Sequence, residues 1–135
     1  MKTRVLVRSA SDGCQPSTTG TTPEQTVFGG FSMGSVMSYS LGLGADRPAP
    51  AGILAFSGFI PIVEGWQPDL ASREGLRAFI AHGRRDPVME VGFARRAREQ
   101  LEAGGLDVEY HESDAAHHID PAHVPAAQEW LAKTL

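Results

Sequence analysis

From Gln25 onward the chain alternates short apolar runs with segments whose apolar residues recur at helical spacing. Gly52 to Ser57 (GILAFS) and Arg77 to His82 (RAFIAH) are near-continuous apolar runs, the pattern of strands covered on both faces. Thr26 to Gly29 is a shorter β-prone run, and Asp107 to His111 alternates as a strand. Between them, Ser35 to Leu41 reads as a helix stopped by Gly42 and Gly44. Val91, Ala94, Ala97 and Leu101 mark a second helix over 91–103, ended by Gly104-Gly105. Val124, Ala127 and Leu131 place one stripe on a third, over 122–134. Strand and helix alternate, which predicts an α/β domain: a mostly parallel sheet with helices on both faces.

Two stretches fall outside this rhythm. Residues 9–24 are rich in Ser, Thr, Gly and Pro, with almost nothing to bury, and read as a flexible loop. Arg4 to Val7 before it is a candidate strand. Residues 1–25 therefore form an N-terminal strand and loop, and 26–135 the core. Residues 58–75, with Pro61, Trp66 and Pro68, are too long a connection to be a mere link.

Composition changes this picture little. The 135 residues suffice for one domain, and a net charge of -4 gives no footprint for nucleic acid. Arg95, Arg96 and Arg98 sit beside Glu90, Glu99 and Glu102, as on a solvated helix face. Cys14 is the only cysteine, so neither a disulfide framework nor a cysteine zinc site is expected. No run is long enough to anchor the chain stably in a membrane, and the start lacks the apolar run of a signal peptide. The expectation is a cytoplasmic protein.

The candidate chemistry centres on VFGGFSMGS, residues 27–35. Ser32 stands between Gly30 and Gly34, after a β-prone run and before a helical one. A serine on such a strand-to-helix turn needs small residues two before and two after, because the two backbones nearly touch. The helix start also turns backbone N–H groups, Met33 first, toward any oxyanion forming at Ser32. Fifteen glycines make a G-x-S-x-G easy to meet by chance. A serine also needs a base, and the base an acid. AHGRRDPVM offers Asp86 after one strand, and ESDAAHHIDP offers His117 or His118 after the next. Spacing alone does not separate these neighbours. His82 ends a buried strand and reads as a structural hydrogen-bonding residue; His111 and His123 read as surface residues. No H-E-x-x-H or comparable metal spacing occurs, so no metal is expected.

Taken together, GGFSMGSVMSYSLGL, AGILAFSGFIP, the long segment from IAHGRRDPVM to HHIDP and the terminal EWL resemble the phospholipase/carboxylesterase family of α/β-hydrolases, which includes acyl-protein thioesterases. The resemblance covers roughly residues 26–132. It implies Ser32 as nucleophile, Asp86 as orienting acid and His117, two before Ile119, as base; Ala116 stands where the family has glycine. It implies an esterase for short- to medium-chain acyl esters working without a cofactor, with a thioesterase or lysophospholipase as alternatives. Phe31, Phe59, Ile60 and Trp66 are candidate acyl-pocket residues.

Residues 1–25 lack the family's H-G-x-G-like loop, the source of a second oxyanion N–H and of early strands. Losing one such donor costs roughly 10²–10³ in turnover. A truncated α/β-hydrolase with an uncovered sheet edge is expected to pair as a homodimer. A catalytically impaired domain kept for binding or assembly is the reading of another class.

Overall fold

A computed structural model describes residues 4–8 and 22–135. Cys14 and residues 9–21 of the Ser/Thr-rich segment lie outside the described residues. Five strands form one parallel sheet in strict sequence order: β1 (Arg4–Arg8), β2 (Thr26–Phe31), β3 (Gly52–Phe56), β4 (Arg77–Gly83) and β5 (Asp107–Ser113). The N-terminal strand is thus part of the sheet, with Arg4 opposite Thr26 and Arg8 opposite Gly30. β3 is buried along its whole length, as its unbroken apolar run requires.

Helix α1 (Met33–Leu43) connects β2 to β3, and α2 (Val91–Ala103) connects β4 to β5. Both cover one face. Tyr39 and Leu43 of α1 pack with Ala94, Ala97 and Leu101 of α2 over Ile53, Ala55, Ala78 and Ile80. Helix α3 (Val124–Thr134) covers the other face, where Ala127 and Trp130 meet Val27, Leu54, Phe56, Phe79 and Ala81. Strand period two explains the division, since neighbouring residues of β3 and β4 point to opposite sides. Trp130, 1% exposed, is among the largest side chains buried on that face. Removing such a ring costs roughly 3–5 kcal/mol.

The long connection between β3 and β4 holds no α-helix. Its Ile60 and Leu76 enter the α1/α2 core, and Trp66 and Leu70 pack against it. It also closes the C-terminal end of α1, whose last carbonyls lack partners within the helix. Trp66 Nε1 donates to the Ser40 carbonyl (3.3 Å), and the Asp69 N–H to that of Leu43 (2.7 Å). Arg73, buried, donates from Nε to Gly42 O (2.7 Å) and from Nη2 to Gly44 O (3.0 Å) and Arg47 O (2.7 Å). One end of α1 is held this way, and its other end carries Ser32. No helix among the described residues is long and apolar enough to cross a membrane.

Candidate active site

Ser32 is the single residue between β2 and α1, and its backbone is left-handed (φ 59°, ψ -121°). For a residue with a Cβ this conformation costs on the order of 1–3 kcal/mol and persists only where surrounding structure enforces it. The enforcement is visible. Ser32 N–H donates to Phe56 O (2.9 Å), which extends the pairing with β3 past the end of β2. The Ser32 carbonyl accepts from Ser35 N (3.0 Å), Val36 N (3.2 Å) and Ser35 Oγ (2.7 Å). From the other side Gly58 presses on this turn so closely that a Cβ there would lie 1.6 Å from Ser35 Oγ. The helix begins at Met33, two residues earlier than the apolar spacing predicts, so Met33 N–H is the first donor of α1 and has no helical acceptor.

Asp86 follows β4 in a turn closed by its N–H to Gly83 O (3.3 Å). Its Oδ1 accepts from Val88 N and Met89 N, each at 2.8 Å. Its Oδ2 accepts from His117 Nδ1 at 2.7 Å, and His117 Nε2 lies 2.9 Å from Ser32 Oγ. A carboxylate only accepts, so Nδ1 carries the proton and Nε2 offers its lone pair to the serine hydroxyl. Of the two neighbours that spacing left open, His117 forms both bonds, and His118 is exposed. Burial works against the Asp86 carboxylate, yet the Met89 N–H, the His117 ring and the Val88 N–H together hold its pKa below the ordinary value.

The acid and histidine loops are sewn together. Arg84 N–H donates to Ser113 O (2.7 Å) and Arg85 N–H to Ala115 O (3.1 Å). Gly83 passes so near that a Cβ would sit 2.1 Å from Ala115 O.

The predicted pocket residues divide. Phe31 packs on the His117 ring, centroids 4.9 Å apart. Phe59 packs on Phe93 (5.4 Å), and with Ile60, Ile62, Ala97 and Arg96 they line a groove of about 370 Å³. Ile60 is at the same time a core residue. Trp66 differs from its expected place: its bond to Ser40 sets it at the end of α1 remote from Ser32, about 12 Å along the axis. It packs against the core there because an indole can cover apolar surface and still use its N–H. Phe93 was not anticipated. Its signal is a large aromatic lying off the Val91–Ala94–Ala97–Leu101 stripe. Of the expected surface histidines, His123 is buried instead, its ring 5.7 Å from that of His111.

A left-handed serine between strand and helix, at the end of a parallel sheet covered on both faces, with acid and histidine on later loops, defines an α/β-hydrolase fold. The comparisons agree. The model of the Phospholipase/Carboxylesterase family matches residues 14–135, and the chain belongs to that family. It is 30% identical over 117 residues to acyl-protein thioesterase 1 of Mycosarcoma maydis, a match covering 78% of this chain and 47% of that protein. Among solved structures it is similar to esterase PE8 (29% identity, TM-score 0.71, 87% of this chain and 54% of that one). The fold also matches the Bacillus cereus carboxylesterase (24% identity, TM-score 0.69, 84% and 52%). The chain spans about half the length of the curated relatives it matches.

Proposed function

We propose that the chain is a serine hydrolase that cleaves short- to medium-chain acyl esters through an acyl-enzyme intermediate. The observation that carries this reading is the unbroken series from Asp86 through His117 to Ser32, with bonds of 2.7 and 2.9 Å. In this mechanism Ser32 Oγ attacks the carbonyl carbon while its proton passes to His117 Nε2. Asp86 steadies the imidazolium. The oxyanion takes the Met33 N–H at the positive end of α1. Collapse of the tetrahedral adduct expels the alcohol, protonated by His117, and water then releases the acid by the same route. The groove beside Phe59 and Phe93 takes the acyl chain. The homodimer predicted from the sequence belongs to this reading, with a second copy pairing on the outer side of β1.

One observation favours a second reading: the Mycosarcoma maydis relative is an acyl-protein thioesterase, which makes thioesters the alternative substrate. Both use the same serine. The test is fluorophosphonate labelling together with hydrolysis of p-nitrophenyl butyrate. Wild type is expected to label and turn over, and Ser32→Ala to lose both by about 10³-fold or more. Equal rates in the two proteins would remove Ser32 from the mechanism. An unlabelled, folded wild type would favour the impaired domain with a binding role.

A further inference from the structure

We propose that His82 is a positioning residue for Asp86, holding the acid loop from beneath by its single N–H. The inference rests on the reading of Ser32, His117 and Asp86 as the reactive set. His82 lies near the end of β4 and is 1% exposed. Its Nε2 is 2.6 Å from the Met89 carbonyl oxygen. A carbonyl can only accept, so Nε2 is the protonated nitrogen. The N–H of the same Met89 donates to Asp86 Oδ1. Met89 is therefore pinned at both ends of its backbone, to the carboxylate above and to the imidazole below. His82 Nε2 is also only 3.7 Å from Asp86 Oδ2, the oxygen that receives the His117 proton donor. The N–H is thus given to the loop carbonyl, with the working oxygen just beyond hydrogen-bond reach of the same nitrogen.

The other ring nitrogen sharpens the case. His82 Nδ1 is buried and has no hydrogen-bond partner among the described residues. A residue chosen only to fill space would not leave a buried acceptor unsatisfied, since an apolar side chain of similar size carries no such penalty. The ring is kept for its one donor, and what that donor fixes is the loop that aims Asp86. Without it the Met89 carbonyl is orphaned, the loop relaxes, and the carboxylate loses its alignment on His117 while the groove is untouched.

The experiment compares wild type with His82→Leu and His82→Gln. It reads kcat and KM on p-nitrophenyl butyrate, Tm, and the low-field proton resonance of the His117 Nδ1–H bond to Asp86. His82→Leu is expected to lose that resonance and to lower kcat by about 10–100-fold with KM nearly unchanged. His82→Gln, whose amide N–H reaches the same carbonyl, is expected to restore the resonance and most of kcat. A folded His82→Leu with wild-type resonance and kcat would overturn the proposal. So would a folded His82→Gln that loses both, which also covers the case in which His82→Leu does not fold. The resonance needs no turnover. A wild type that keeps it yet hydrolyses nothing would sink the hydrolase reading and leave the His82 assignment standing.

Discussion

At the scale of single residues, one carboxylate away from Ser32 gathers several donors. Glu112 on β5 accepts from Arg95 twice (2.8 and 2.9 Å), from the Tyr110 hydroxyl (2.6 Å) and from Arg84 (3.1 Å). The Arg95 bonds, opposed by partial burial and helped by Tyr110 and Arg84, bring its pKa from the ordinary 4.5 to about 2. A carboxyl depressed on folding stabilises the native state fully above its unfolded pKa and loses that contribution as pH falls through the folded one. Stability should therefore decline between about pH 4.5 and 2. Asp86, depressed as well, adds to the loss in the same direction. Thermal melts across this range check it, and Glu112→Gln should flatten the slope; a variant as acid-sensitive as wild type would refute the assignment. What was legible at this scale follows sequence distance. Gly30, Ser32 and Gly34 stand within five positions and announce a turn. Gly58 presses on the same turn from 26 residues away, and no local spacing connects it to Ser32. His117 and His118 are neighbours in a loop without period, so only the fold could assign the ring that reaches Ser32.

Among the elements, α1 matters most because its N-terminal end carries the candidate site and its C-terminal end is sealed by the β3–β4 connection. Arg73 supplies bonds to the carbonyls of Gly42, Gly44 and Arg47 from a buried guanidinium. Charged donors of this kind are the strong ones. Arg73→Leu would leave the Gly42 and Arg47 oxygens without their donor, while Gly44 O keeps the Arg47 N–H, and should destabilise the fold by about 3 kcal/mol. Chemical denaturation measures this, and a variant within about 0.5 kcal/mol of wild type, the scatter of neutral surface changes, would contradict it. The sequence marks 58–75 as more than a link, but the content of the segment is hidden. An isolated arginine reads as surface, and Trp66 reads equally as pocket or core, because each is defined by what α1 brings to it. The helices themselves were legible where apolar spacing was sustained, as in α2. The start of α1 was not, because Met33 and Gly34 carry no periodic signal.

For the molecule as a whole, the alternation of runs was enough to foresee a parallel sheet with both faces covered. It could not foresee that residues 4–8 join that sheet, since a five-residue strand followed by a polar loop gives no clue to its partner. β1 stands at one end of the sheet, paired on its described side with β2. No described strand pairs with its outer side, and an end strand of this kind is a template for another chain. Sedimentation velocity at micromolar concentration should accordingly give a species of twice the 14.4 kDa chain mass. A stable species of one chain mass would remove the homodimer from the proposed function.

The strand order has a consequence for synthesis. Because each strand pairs with the one made just before it, every new segment leaving the ribosome finds a ready edge and never waits for a distant partner. The imidazole that reaches Ser32 lies 85 residues further along the chain, so under the proposed mechanism the hydroxyl stays an ordinary alcohol until residue 117 has been made and docked. On that proposal the topology itself keeps the nascent serine disarmed until the histidine loop arrives.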